Sequence, residues 1–386
     1  MNQVVVPATP PLFIPTPTQT LSPESFVNRA QELFLDGKLD ASKDAYKEAI
    51  AVDPENPSNF VELARIQIFT GEYEEAIKNT SNAMLKNPNN PLAHAVQGWA
   101  LTFQGDLVEA ERSIRRALEL DPNSALAHAY YAEWLIDQVD EDYGLLDKAI
   151  SESNLALQLD PNLLETHRAR GLVLLNSNNL EEAVMEFENA ISLNKNIADL
   201  HLYLGLAYKA LERYDLAQES LLLAYSLNPD DTVALIELSR AYFADGRYAQ
   251  AAQYAEEAVK NEPANPHRHG YLGIVQYKQE DYPKAIDELV YAVRGGTTPE
   301  NVTVEGLQLS YDDRVMQYYW YYGFALARAR RCEEAIPVFQ ALLTGVPDNE
   351  IAVYNAQEGL NICKEQAETP FEVTDTPPVE EATPQP

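Results

Sequence analysis

Apolar and polar positions along this chain recur with a period of 34 residues from residue 23 to residue 124. In residues 91–124 an apolar run carries the small residue Gly98 at its middle. Ala110 follows twelve positions later, Ala117 nineteen, and Pro122 ends the unit. One period earlier stand Ala64, Ala76, Ala83 and Pro88, and two periods earlier Ala30, Ser42, Ala49 and Pro54. Self-similarity at this spacing marks a stacked repeat array, whose units each bury an apolar face only against their neighbours.

Each period predicts a helix, a turn and a second helix. The first helix carries an apolar stripe around a small residue, which the close crossing of paired helices requires. Gly37, Gly71, Gly105 and Gly246 mark the turn, where a left-handed backbone is cheap for glycine. The second helix opens with acids such as Glu74 and Glu75, as the helix dipole favours, and stops at pairs such as Asp121-Pro122.

The register predicts nine repeats over 23–349: 23–56, 57–90, 91–124, 125–163, 164–197, 198–231, 232–265, 266–294 and 316–349. Five extra residues around Val139–Tyr143 lengthen the turn of repeat four, and Lys195 stands where repeat five should have its proline. Residues 295–315 break the helical period but alternate as VTV–EG–LQL, which predicts a hairpin-like insertion. It is either a specificity element on an edge of the array or a tolerated loop. A capping helix is expected at 350–366. The Pro/Thr-rich arm 1–22 and the acidic tail 367–386 are expected to be disordered.

Composition narrows the function. Twenty-eight Lys+Arg against 60 Asp+Glu give a net charge of −32. A chain of that charge repels phosphate backbones and anionic lipid, so nucleic acid is not expected as a partner and a basic one fits better. The acid also keeps a long apolar stack in solution. No apolar run reaches the roughly 18 residues that a membrane helix needs, so no direct membrane insertion is expected. The start lacks a signal-peptide pattern, which points to the cytoplasm, or to an extracytoplasmic site if the N-terminus is truncated.

The small residue, turn glycine, helix-opening aromatic, paired alanines and closing proline of GWALTFQGDLVEAERSIRRALELDP resemble the tetratricopeptide repeat. Tyr73, Tyr214, Tyr248 and Tyr282 are the aromatics that open second helices elsewhere. The resemblance implies an all-α fold, a right-handed α-solenoid of antiparallel helix pairs whose first helices line a concave groove. Carried over position by position, that groove holds Arg65, Phe69, Trp99, Phe103, Tyr130, Glu133, Arg168, Leu172 and Tyr203. Lys209, Arg240, Phe243, Tyr271, Tyr277, Trp320, Tyr321 and Arg328 continue it. Aromatics and arginine are the side chains that interfaces use as anchors. The carboxylate clamp known in this family is not expected, because Leu172 and Tyr203 stand where it needs asparagine.

His94, His128, His167, His201 and His269 recur at one place near the start of the first helix. They sit on different helices, so packing rather than a metal ladder is expected, with proton sensing as the other use. Cys332 opens the second helix of repeat nine and Cys363 lies near the end of the capping helix. Two readings stand for them: a pair of free thiols, as a cytoplasmic protein would keep, or a bond that staples the array's end. No phosphate loop, partnered nucleophile or carboxylate pair points to catalysis, and no cofactor is expected.

The expected function is therefore a non-enzymatic scaffold that binds a peptide or partner protein along the groove. The alternative is the targeting module of a separate enzyme, such as a glycosyltransferase or an envelope-biogenesis complex, and an anchored extracytoplasmic scaffold is a third reading. Oligomeric state is not indicated.

Overall fold

The structure, a computed structural model, describes residues 22–139 and 144–368. The first helices of the repeats are α1 (Pro23–Leu35), α3 (Pro57–Phe69), α5 (Pro91–Gln104), α7 (Ala125–Asp137) and α9 (Leu164–Asn176). They continue as α11 (Ala198–Ala210), α13 (Thr232–Ala244), α15 (Pro266–Lys278) and α17 (Asp313–Arg328). Their partners are α2 (Leu39–Val52), α4 (Tyr73–Lys86), α6 (Leu107–Leu120), α8 (Leu145–Leu159) and α10 (Leu180–Leu193). After these come α12 (Tyr214–Leu227), α14 (Tyr248–Asn261), α16 (Tyr282–Arg294) and α18 (Cys332–Gly345), then α19 (Glu350–Glu368).

The fold is all-α, built of consecutive packed helix pairs, in two compact units of residues 1–207 and 208–386 whose division falls inside α11. Among the described residues no helix is long and apolar enough to cross a membrane. The expected arm, most of the acidic tail and the extra residues after Val139 lie outside the described residues. The last helix runs two residues past its expected end.

Local chemistry sets the boundaries. Asn56, Asn90, Ser124, Asp231, Asn265 and Asp312 cap first helices by accepting from backbone N–H groups of the opening turn. The Asp312 cap starts α17 at Asp313, three residues before the expected edge of repeat nine. The turns between paired helices take a left-handed residue: Gly37, Gly71, Gly105 and Gly246, and elsewhere Asn178, Glu212, Glu280 and Arg330 at φ between 58° and 64°.

The small residues sit where the crossing demands them. A Cβ on Gly98 would meet Ile114 Cγ1 at 2.5 Å and the Ala110 carbonyl oxygen at 2.9 Å. Gly171 and Gly323 leave the same space for the rings of Phe187 and Phe339, and Gly273 for Leu289. Where serine takes such a place, its hydroxyl donates across the pair: Ser42 to the Ala30 carbonyl and Ser239 to the Ala251 carbonyl, both at 2.6 Å.

Unit 1 curls until its first turn meets its last. Asn194 Nδ2 donates to the Phe34 carbonyl (2.7 Å) and Asn196 Nδ2 to the Gly37 carbonyl (3.1 Å). Phe34 and Leu39 pack beneath them against Leu164, Ile197 and Leu200. A side chain on Gly37 would collide with Asn196. The loop that lost its proline to Lys195 is thus the one that closes the stack. In unit 2 the insertion pairs β1 (Gly296–Thr297) antiparallel with β2 (Thr303–Val304), with Gly296 opposite Val304. The expected strand 307–309 is not paired. Gly295 and Gly306 let the chain cross over itself, and Leu307 and Leu309 turn onto the helical core.

Five histidines share one niche. The Nε2 of His94, His128, His167, His201 and His269 each lies 2.8–3.0 Å from a carbonyl oxygen six residues back. In His128, His167 and His269 the Nδ1 also faces a carboxylate at 2.6 Å, from Glu152, Glu186 and Glu288. With an acceptor on each ring nitrogen, only the protonated ring bonds both. Burial pulls His128 and His269 down, and the carboxylate and carbonyl bonds outweigh it. For His167 the Glu186 bond is the largest influence, and it too is raised. Among the described residues no three such side chains form a metal-binding group.

Two outcomes are expected. Gly98→Ala should destabilise by about 1–3 kcal/mol, because the Ala110 carbonyl cannot move aside, and urea unfolding of the variant reads the loss. The folded protein holds the three histidine protons more tightly than the unfolded chain does. Their contribution is therefore full below pH about 6.5 and fades as pH rises through the higher folded values. Melting temperature should fall as the buffer is raised from about pH 6 to pH 8, and His167→Gln should flatten part of that fall.

Candidate interaction surfaces

The inner face of unit 1 is largely filled by its own side chains. Trp99 on α5 stacks on Tyr130 of α7 at 4.3 Å, and its indole N–H donates to Glu133 Oε2 at 2.7 Å. Arg168 on α9, 1% exposed, pairs with Glu133 and with Asp199 of α11. Its guanidinium lies 5.4–5.8 Å from the ring centres of Trp99, Phe103 and Tyr203. Arg65 on α3 reaches across to Glu165 on α9 (Nη2–Oε1 2.6 Å) and also pairs with Glu62. Phe69 lies edge-on to Trp99 at 5.1 Å.

Of the nine groove positions expected in this unit, Trp99, Tyr130, Glu133, Arg168 and Leu172 are buried. Arg65, Phe69 and Tyr203 are half-buried, and Phe103 is exposed. The interior is rich in acid. Burial pushes the Glu133 carboxyl up to about 7 despite the Arg168 charge. Its cavities include one of about 310 Å³ beside Phe34, Tyr46 and Arg65 and another of about 240 Å³ beside Trp99 and Arg168.

The inner face of unit 2 is more open. Phe243, Tyr271, Tyr277, Trp320 and Tyr321 are half-buried, and Arg240 and Arg328 are exposed. The rings form two clusters. Phe243 stands 6.4 Å from Tyr271, and Tyr277 stands 5.1 Å from Tyr321, which is 6.4 Å from Trp320. Cations flank them: Arg240 lies over Tyr271, Lys278 over Tyr321, and Arg328 bonds Tyr277. Lys209 is half-buried against Glu237, which also binds Arg240. Lys278 carried no weight in the repeat pattern, because the exposed end of a first helix follows no hydrophobic rule.

Cys332 and Cys363 are joined in a disulfide that ties α19 to the start of α18. On the outer side of unit 2 the hairpin walls a cavity of about 500 Å³ with His269, Glu288, Tyr291 and Thr298.

Comparison with known proteins bears on the fold. Tetratricopeptide-repeat models match residues 33–100, 93–124, 168–232 and 236–300, together more than half of the chain. No curated protein matches the sequence. Among solved structures, a human IFIT1 dimer with PPP-AAAA is 16% identical at a TM-score of 0.52, with 82% of this chain and 81% of that one covered. PilF of Pseudomonas aeruginosa is 23% identical at 0.43, covering 52% of this chain and 89% of its own. A tetratricopeptide repeat protein from Parabacteroides merdae is 22% identical at 0.39, covering 61% and 91%. These likenesses concern the fold alone. On its repeat period, its packed helix pairs and the family-model matches over more than half of its length, the chain belongs to the tetratricopeptide-repeat family.

Proposed function

We propose that the protein is a non-enzymatic scaffold whose partner-binding wall is the inner face of unit 2. The family supports protein interaction in general terms. The observation that carries the finer reading is the contrast between the two inner faces. Unit 1 spends its aromatic and charged anchors on internal pairs, whereas unit 2 leaves Phe243, Tyr271, Tyr277, Trp320 and Tyr321 half-exposed, with Arg240, Lys278 and Arg328 beside them. Half-buried rings backed by arginine are the composition of interface hot spots.

On this wall the cations Lys209, Arg240, Lys278 and Arg328 outnumber the acid Glu237, so the segment it takes is an extended stretch of a partner protein carrying acids between apolar residues. That replaces the basic partner suggested by the net charge alone. A nucleic acid would meet the same cations, but the −32 of the whole chain opposes a polyanion. A short acidic peptide stretch brings far less charge. Lining the wall with side chains that already touch one another also limits the ordering cost of binding.

The disulfide supports a second reading, of compartment. A bond between Cys332 and Cys363 persists in oxidising surroundings, which favours the extracytoplasmic reading over the cytoplasmic one.

Affinity capture from the native cell, with full-length protein as bait, tests the wall. Trp320→Ala with Phe243→Ala should cut partner recovery by about 30-fold, the loss of roughly 2 kcal/mol that hot spots show. Arg240→Glu with Arg328→Glu should do the same while leaving the circular dichroism unchanged. Equal recovery by both folded variants would remove this face as the site. Counting free thiols by alkylation and mass analysis, with protein drawn from its own cell, checks the compartment: none is expected without reductant.

A further inference from the structure

We propose that the cavity of about 240 Å³ on the inner face of unit 1 is a separate binding site that takes one guanidinium or alkylammonium group. Two carboxylates line it, Glu133 and Asp137, against the single cation Arg168, which a third carboxylate outside the lining, Asp199, also engages. The site is short of positive charge. Arg168 is already engaged by both acids: its Nε and Nη2 go to Asp199 Oδ2 at 3.0 and 2.9 Å, and its Nη1 lies against Glu133 as an ion pair without a hydrogen bond of its own.

Buried oxygens are left over. Glu133 is 5% exposed and meets both Trp99 and Arg168 on Oε2, so its Oε1 is buried without a partner. Asp199 Oδ1 is likewise buried and unpaired. Polar atoms in that position normally have a donor. Asp137 stands exposed at the end of α7, where it lines the cavity. The walls are the rings of Trp99, Phe103 and Tyr203, whose faces attract cations. Arg168 already shows what such a cage holds, since it lies over all three rings. An anion would face the carboxylates here, and a neutral group would leave their charge unanswered.

Glu133 responds to the same shortage. Facing it are Trp99 from α5, Tyr130 and Asp137 from its own helix, Arg168 from α9, and Asp199 and Tyr203 from α11. Arg65 and Glu165 lie beyond Tyr130. Burial within that set lifts its carboxyl to about 7, so near neutrality a proton occupies part of the place that a cation would neutralise. An entering cation should expel that proton.

The group has two sources, an arginine or lysine side chain of a partner protein or a free polyamine, and calorimetry on the full chain separates them. The probes are N-acetyl-arginine amide, N-acetyl-lysine amide, spermidine and, as the uncharged isostere, N-acetyl-citrulline amide. Saturable heat is expected with at least one cation and none with citrulline. Proton release should show across buffers of different ionisation heat, and binding should be tighter at pH 8 than at pH 6. Arginine or lysine amide alone binding points to a partner side chain, and spermidine alone to a small amine; either supports the site.

Asp137→Asn and Phe103→Ala should each weaken binding about fivefold to tenfold with unchanged circular dichroism, and Asp137→Asn, which breaks no ring contact, should do so without lowering the melting temperature. The Arg240 and Arg328 variants should leave it unchanged, so failure of the unit 2 wall and failure of this cavity read separately. No saturable heat from any cation up to about 10 mM, beyond the weak end of useful affinities, overturns the proposal. So does binding that ignores both Asp137→Asn and Phe103→Ala.

Discussion

Everything in this protein depends on how closely two helices of one pair can approach. A helix pair of this length has too little interior to hide its own apolar stripe, so its stability comes from stacking, and stacking needs the pair to be thin. Gly98 under Ile114, Gly171 under Phe187 and Gly323 under Phe339 set that thickness by setting a large side chain into an absent one. The alanines at the matching positions of other pairs, Ala30, Ala64 and Ala132, are fully buried. Helix caps, turn residues and closing prolines trim the bricks, but the crossing fixes their gauge.

The constraint is local, which is why so much of the fold was legible in the chain. Residues twelve and nineteen apart report the crossing, and a turn glycine reports its own backbone. What escaped was long-range. The pairing of Arg65 with Glu165 and of Asn194 with Phe34 spans 100 and 160 residues, and no period encodes either. The missing proline at Lys195 was the visible trace of that closure, but as a pattern it read only as a lost helix stop. The hairpin was mispaired for a related reason, since alternation says which face a residue takes and not which strand it meets.

The groove positions show the same limit. Family register can say which residues lie on first helices facing inward; it does not say whether they remain available. Once unit 1 closes, Trp99, Tyr130 and Arg168 serve the interior, and the charge of that interior becomes acidic. In unit 2 the equivalent positions keep part of their rings in solvent, and their cations outnumber their acids. The two inner faces therefore differ in character although one repeat pattern predicts both.

The ends of a repeat array are ordinarily where it comes apart, because a terminal brick has a neighbour on one side only. Here the leading pair is fastened by the Asn194 and Asn196 side chains within unit 1, and the trailing helix α19 is linked covalently to α18 within unit 2. Among the described residues, then, neither the first helix pair nor α19 is held by one-sided stacking alone: side-chain hydrogen bonds reinforce the one and a covalent bond the other.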